Sequence, residues 1–410
     1  MSSWPPAWNT PRALEHGTKG DDAIDFINTF VTLTKDSIAG QAGEPIRLRY
    51  WQENLLRETL ALDENGLLKT RTGLWGLARK NGKSSLVTGV GLYFLFNGDE
   101  GGEVYSCAAE KEQARITFGD ARKIIEREPE LAALCNIYRD VIEVPSTGSI
   151  WRVLSAEAYS KEGLNSSVTI MDECHALPNR ELWDVMQLSM ASRKQPIMLG
   201  VTTCGVKTDS TGQDSLAYSL YQYGQRVARG EVDDSSFYFS WWEAPLDADY
   251  RNEATWMMAN PGYGDLNSKE DFESVVKRTP EAEFRTKRCN QWVSSKTAWL
   301  PAGVWDGLQA EVDVPVDADI VLGVAYKPNV ADVRETAAEL VIKHLRDQGA
   351  VVSWHDDVVG SWKGEGSAPL QGADITIVVT KHDSVDEKKI LASAPYVFDT
   401  TGKVEGAKGL

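Results

Sequence analysis

The chain has 410 residues, 42% hydrophobic and 25% charged, with a formal net charge of −17. That length fits two or three domains with packed cores. No apolar run reaches the ~18 residues of a membrane span, and the polar, Pro/Trp-rich start lacks the apolar stretch of a secretory signal. Five cysteines, Cys107, Cys135, Cys174, Cys204 and Cys289, form no CxxC pair. Their scatter argues against a zinc site or disulfide framework and for a reducing cytosol. A protein that grips nucleic acid by bulk charge would be basic, so any such contact is expected from a local patch or the lumen of an assembled ring.

In chain order, residues 1–20 read as an extension. Arg49-Tyr50-Trp51-Gln52 opens a helix. The Gln52 amide suits an adenine edge and an aromatic neighbour suits stacking, although a core aromatic pair is the commoner use of such residues. Thr72–Gly76 reads as a strand, Ser84–Phe96 as a buried helix, Val104–Ala108 as a strand and Glu110–Arg127 as an amphipathic helix. Ile150–Leu154, Val168–Met171 and Ile197–Val201 read as further short buried strands. Strands alternating with helices predict a parallel sheet covered on both faces.

The segment Gly76-Leu-Ala-Arg-Lys-Asn-Gly-Lys-Ser84 lies between a strand and a helix. Backbone N–H groups of such a turn, at a positive helix end, cradle phosphates. Lys83 then reaches the β/γ-phosphates and the Ser84 hydroxyl holds Mg²⁺. The usual pattern wants glycine where Leu77 stands, and a polar turn before a core helix is the plainer use of these residues. Val168-Thr-Ile-Met-Asp172-Glu173-Cys-His175 is a buried strand ending in two carboxylates, at the edge where ligands sit in open α/β folds. Asp172 is the candidate Mg²⁺ ligand and Glu173 the group that orients and deprotonates an attacking water. Two acids capping a strand are the alternative. Thr202 and Thr203 end another strand, where hydroxyls can sense a γ-phosphate.

These motifs together resemble the ATPase region of tailed-phage large terminases of the HK97-like kind. In that family the loop reads Ala-Arg-Lys-Asn-Gly-Lys-Ser, matching residues 78–84, so Leu77 is no departure. A Trp-Gln adenine motif matches Trp51 and Gln52, and a strand ending Asp-Glu-x-His matches Asp172, Glu173 and His175. A Thr-Thr coupling motif matches Thr202 and Thr203, and a closing segment resembles Asn290 to Pro301. The resemblance spans about residues 20–318. It implies a P-loop NTPase sheet that binds ATP and Mg²⁺ through Trp51, Gln52, Ala78, Arg79, Lys80, Asn81, Gly82, Lys83, Ser84, Ser85, Thr202 and Thr203. Lys83, Arg79 and Glu173 are implied as catalytic, Ser84 and Asp172 as Mg²⁺ ligands. It also implies a DNA-packaging motor in the host cytoplasm. Its partners are double-stranded DNA, a portal protein and a small terminase subunit, within a homo-oligomeric ring.

Composition changes near residue 318: twelve of the fourteen tryptophans precede it. Residues 311–319 read as an acidic linker between a domain at 21–310 and a second at 320–410. Terminases continue into an RNase H-like nuclease that opens on a strand ending in a metal-binding Asp. Here strand 320–324 is followed by Ala325 and too little chain for that domain, so no endonuclease activity is expected. Val321 to Glu335, Gly349 to Asp356, Gly372 to Asp383 and Val397 to Thr400 instead resemble the C-terminal domain of UDP-glucose and UDP-N-acetylmannosamine dehydrogenases. The pattern is a small Rossmann-like α/β unit. A helix near 334–347 carries an apolar stripe of Ala337, Leu340, Val341 and Leu345, and strands follow at 350–354 and 374–380. Lys327 and Arg334 fall on motif positions suited to a UDP-sugar diphosphate. A turn lysine, and an arginine paired with Asp332 or Glu335, are the plainer readings. No GxGxxG loop or catalytic-cysteine motif precedes this segment, so no NAD-dependent oxidation is expected from it. The leading expectation is thus a terminase-like motor ATPase. The alternatives are a dehydrogenase fragment fused to a P-loop domain and a non-productive chimera.

Overall fold

The computed structural model describes residues 4–155, 163–208, 213–293, 319–334, 336–347 and 349–409. Linker residues 311–318, Glu335 and the closing segment from Ser294 to Pro301 lie outside them. Two compact units are present, Met1–Ala302 and Gly303–Leu410.

The strands of the first unit are β1 (Trp8–Asn9), β2 (Thr72–Gly76), β3 (Glu103–Ala108), β4 (Asn136–Ile137), β5 (Val141–Val144), β6 (Ser149–Ser155), β7 (Val168–Asp172), β8 (Ile197–Thr202) and β9 (Phe237–Trp241). They form one sheet in the order β1-β9-β2-β8-β7-β3-β6-β5-β4. From β9 to β6 the pairings are parallel; β1, β5 and β4 join antiparallel at the two edges. Residues 1–20, read above as an extension, supply edge strand β1, with Trp8 opposite Trp241.

Strands β2, β7 and β8 are buried along their whole length, as strands covered on both faces must be. Alternation sends neighbouring Leu74 and Trp75 into two separate cores, one on each face. The helices are α1 (Gly20–Phe30), α2 (Tyr50–Thr59), α3 (Lys83–Asn97), α4 (Lys111–Arg127), α5 (Pro129–Ala132), α6 (Glu181–Ser189), α7 (Leu216–Ala228), α8 (Glu253–Ala259), α9 (Lys269–Val275) and α10 (Glu281–Arg288).

Helix α3 is apolar nearly all round because it lies between α1 and the sheet. A Cβ on Gly89 would stand 2.8 Å from Ile27 Cγ1, and one on Gly91 2.5 Å from Trp151 Cη2, so glycine is what permits both contacts. Leu86, Val87, Val90, Leu92 and Leu95 are all buried there, each worth about 1.5–3 kcal/mol. That burial fixes the helix whose first turn carries Lys83 and Ser84. Residues 244–289, spanning α8 to α10, have their own small core around Trp256, Phe272 and Phe284.

The second unit has strands β10 (Asp319–Leu322), β11 (Val351–Trp354), β12 (Ser361–Trp362), β13 (Glu365–Gly366), β14 (Ile375–Val378), β15 (Tyr396–Asp399) and β16 (Lys408–Gly409), with helices α11 (Ala338–Asp347) and α12 (Glu387–Leu391). Its main sheet is all parallel in the order β11-β10-β14-β15-β16. The helix expected near 334–347 begins at Ala338, because Arg334 bonds back to Asp332 and the Thr336 hydroxyl accepts from Ala338 N–H at 3.3 Å. The apolar stripe is corrected in half of its members: Val341 and Leu345 pack as expected, but Ala338 and Ile342 take the places given to Ala337 and Leu340. Ala338, Val341, Ile342 and Leu345 face the core, while Ala337 is exposed and Leu340 is 74% exposed. Both sets repeat at helical spacing, and only the packed sheet decides between them.

Candidate active site

Strand β8 lies between β2 and β7, and the three carboxyl ends stand in one row. Gly76 is opposite Thr202, and Asp172 is opposite Val201. The loop after β2 therefore faces the Asp172–Glu173 strand end across the threonines that end β8. Crossover helices are what bring these distant motifs together.

Gly82 takes φ 75° at the start of α3, a conformation that favours glycine and turns the first N–H groups of the helix toward the loop. Lys83 is 6% exposed, and its ammonium donates to the carbonyls of Leu77 at 3.0 Å and Ala78 at 3.4 Å. Burial pulls its pKa below the usual lysine value, against the attraction of Glu173 and Asp172. The Ser84 hydroxyl lies 3.4 Å from Asp172 Oδ2, and Asp172 Oδ1 is buried without a hydrogen-bond partner among the described residues. Burial, then the neighbouring Glu173, raises Asp172 to about 6. A hydroxyl and a half-satisfied carboxylate 3.4 Å apart are oxygen donors of the kind a hard divalent cation takes, two of the roughly six it needs.

Glu173 sits at φ 53°, unusual for a residue with a Cβ, and is held there by its own N–H on Val201 O at 2.7 Å. Burial opposes its charge, but His175, Lys83 and Arg79 outweigh that and hold its pKa down to about 2. His175 Nδ1 lies 3.0 Å from Glu173 Oε2, 3.1 Å from Thr202 Oγ1 and 3.5 Å from Thr203 Oγ1. Burial lowers the His175 pKa against the pull of Glu173.

Other expected contacts divide by side chain. Exposed Arg79 lines two adjacent cavities, of about 290 Å³ with Asp172 and Glu173 and of about 250 Å³ with His175 and Lys287. Lys80, Gly82 and Ser85 line a third, of about 230 Å³, whose walls include Leu48, Gln52 and Leu266. Gln52 Oε1 accepts from Arg49 N–H at 3.0 Å, which caps α2, and its Nε2 stands 3.6 Å from where a Gly82 Cβ would lie.

Two side chains point away from these cavities. Trp51 is 1% exposed and packs edge-on against Trp242, at 5.3 Å between ring centres, so it supports α2 from the core and the stacking role does not fall to its ring. Asn81 is fully buried and faces residues 260–267. It donates to Asn260 Oδ1 at 2.8 Å and to the loop carbonyl of Ala78 at 3.0 Å and accepts from Gly262 N–H at 3.0 Å, so its side chain ties the loop to that segment. Ala78 contributes its carbonyl, shared by Lys83 and Asn81.

Sequence reading did not give roles to Asn260, Asn290 or Lys287. Asn290, at φ 51°, ties the end of β8 to β9 by accepting from Cys204 N–H and donating to Trp242 O. Single asparagines and lysines carry no spacing signal that could have found them.

In the second unit, Lys327 lies over the Tyr326 ring at 5.4 Å, and Arg334 makes a two-pronged pair with Asp332 while 87% exposed. Neither lines the cleft beside Gly323, His355, Lys381 and His382.

A strand–loop–helix with a buried lysine, facing a strand that ends in Asp-Glu across an intervening strand, defines a P-loop nucleotide hydrolase fold. Residues 66–221 match the family model "Terminase large subunit, ATPase domain", and residues 320–405 match "UDP-glucose/GDP-mannose dehydrogenase family, UDP binding domain". The chain thus joins a segment similar to terminase ATPase domains to one similar to the UDP binding domain of that dehydrogenase family.

It is 27% identical over 301 residues to the terminase large subunit of Enterobacteria phage HK97, covering 70% of this chain and 56% of that protein. The solved structure of the HK97 large terminase aligns with TM-score 0.58 at 23% identity, over 77% of this chain and 60% of that one, which supports the fold. A UDP-N-acetyl-D-mannosamine dehydrogenase of Methanocaldococcus jannaschii is 27% identical over 147 residues, 35% of this chain and 33% of that protein. The chain thus spans a little over half of its terminase relative and a third of its dehydrogenase relative.

Proposed function

We propose that this chain hydrolyses Mg-ATP at the row of strand ends of β2, β8 and β7 and uses the turnover to move double-stranded DNA, as a packaging motor. The observation that carries the reading is the convergence of Lys83, Ser84, Asp172 and Glu173 across β8, in a chain whose residues 66–221 match the terminase ATPase family. The Ser84 hydroxyl and the free Asp172 oxygen would hold Mg²⁺, which when bound neutralises charge on the phosphate oxygens.

Lys83 exchanges its two loop carbonyls for phosphate oxygens, which a buried ammonium favours strongly. The base fits the cavity between Gln52 and Leu266, its walls aliphatic rather than aromatic. A carboxylate held near pKa 2 is a weak proton acceptor, so Glu173 acts first by orienting the attacking water and by its fixed charge.

The proposed setting is a homo-oligomeric ring in the host cytoplasm, with a portal protein and a small terminase subunit as partners. No helix among the described residues is long and apolar enough to cross a membrane. Steady-state ATP hydrolysis with and without linear duplex DNA tests the reading. DNA-stimulated turnover supports it; turnover indifferent to DNA leaves an ATPase that is not a translocase.

The match at residues 320–405 favours a second, subordinate reading in which the C-terminal unit keeps weak affinity for a UDP-sugar through Lys327 and Arg334. Hydride transfer and metal-dependent DNA cleavage are not proposed for these residues.

A further inference from the structure

We infer that the base cavity admits guanine as well as adenine, so that GTP is a substrate beside ATP. The inference rests on the nucleotide reading above and concerns the end of the nucleotide away from the phosphates. Gln52 is the side-chain amide that lines this cavity, and it is 4% exposed. A backbone N–H can only donate, so the end of the amide that meets Arg49 N–H at 3.0 Å is the oxygen. That bond closes the first turn of α2 and fixes which way round the amide lies. The other end, Nε2, has no hydrogen-bond partner among the described residues. It stands toward the start of α3, 3.6 Å from where a Gly82 Cβ would lie.

What Gln52 offers a base is therefore a donor, its oxygen being already engaged. Along one edge adenine presents the N7 acceptor and the N6 amino donor, whereas guanine presents N7 and O6, both acceptors. A donor that reaches N7 serves the two purines alike, and recognition of adenine alone takes an acceptor for N6 as well. Among the described residues lining the cavity none is a carboxylate. Its other polar side chains are Arg49 and Lys80, which only donate, and Ser37 and Ser85, which do either. Arg49 is turned to Asp265 by two bonds, at 2.6 and 2.7 Å, which leaves the base edge to Gln52. The remaining walls, Leu48 and Leu266 among them, hold a flat base by apolar contact without reading its edge. A glutamine that only capped α2 would have no influence on which base is bound.

The experiment measures kcat/KM of the full chain for Mg-ATP and Mg-GTP, in the parent and in Gln52→Glu. Glutamate at this position still accepts from Arg49 N–H and so keeps the cap, but it replaces the donor by a second acceptor. The expected result is a parent whose two values lie within about threefold of each other, and a Gln52→Glu variant that favours ATP by about tenfold or more. In that variant adenine N6 donates to the new oxygen, a contact guanine O6 cannot make. A parent preference for ATP above about tenfold, or a Gln52→Glu ratio unchanged from the parent, overturns the inference while ATP turnover keeps the site reading intact. A parent that hydrolyses neither nucleotide overturns both. If Gln52→Glu melts early, displacement of fluorescent ADP from the parent decides. ADP and GDP competing within about threefold supports the inference, and a gap of about tenfold against GDP overturns it.

Discussion

Glu173 and Thr202 share one imidazole: His175 Nδ1 lies 3.0 Å from Glu173 Oε2 and 3.1 Å from Thr202 Oγ1. The His175 N–H also donates to Thr202 Oγ1 at 3.0 Å, so the histidine is held from two sides. The end of β8 is thereby connected to the carboxylate proposed to orient water. His175→Ala should lower kcat on the order of 10–100-fold, because a displaced Glu173 loses its aim, with nucleotide affinity almost unchanged. Thr202→Val should do the same more weakly. A matching rise in KM would mean that His175 serves binding instead.

Asn81→Ala should weaken the attachment of residues 244–289 rather than nucleotide contact. It strips partners from Asn260 Oδ1 and Gly262 N–H inside a buried cluster, at a cost of about 1–3 kcal/mol. The denaturation midpoint of the full chain measures this. A variant of parental stability with lost ATP affinity would return Asn81 to the ligand contacts.

In the C-terminal unit, Asp356 accepts from Ala325 N–H at 3.0 Å, Val358 N–H at 2.9 Å and Val359 N–H at 3.0 Å, and lies 3.0 Å from His382 Nε2. It joins the ends of β10, β11 and β14. Asp356→Ala should cost about 3 kcal/mol in the unfolding of that unit. Burial acts to raise the Asp356 pKa, but the Val358 N–H, His382 and the Val359 N–H prevail and hold it below the ordinary carboxylate value. The sign follows: this stabilisation is complete above the unfolded value near 3.8 and is lost as pH falls through the lower folded value. A melt followed from pH 7 down to 2 should show the parent losing stability in that acid window and Asp356→Ala losing less.

Calorimetry of the full chain with UDP-glucose should show weak binding, on the order of millimolar or ~4 kcal/mol, abolished by Lys327→Ala with Arg334→Ala. Arg334 is bonded to Asp332 and must exchange that partner for phosphate, which keeps the affinity low. Micromolar binding, or NADH formation from UDP-glucose and NAD, would reveal a dehydrogenase site elsewhere in the chain.

How far the sequence could be read follows from what each residue's role depends on. Strands β2, β7 and β8 were legible because five or six consecutive buried residues leave little else for the chain to do. The placement of Lys83, Ser84, Asp172 and Glu173 at a helix start and a strand end was legible because the apolar runs beside them mark the turn and the strand. Trp51 and Asn81 sit within matching motifs, yet the motif does not say which way a side chain turns. That is fixed by Trp242 and Asn260, far off in sequence. In the stripe of α11, Val341 and Leu345 were legible, while Ala337 and Leu340 were taken for Ala338 and Ile342 because both choices flank Val341 at helical spacing.

The most direct test of the account is ATP turnover and ATP binding in Lys83→Ala and Glu173→Gln beside the parent chain. The account predicts hydrolysis by the parent and none above background in either variant. Glu173→Gln should still bind Mg-ATP, because Ser84, Asp172 and Lys83 remain, and Lys83→Ala should bind it poorly. Substantial hydrolysis by either variant would contradict the assignment of this row of strand ends as the ATPase site.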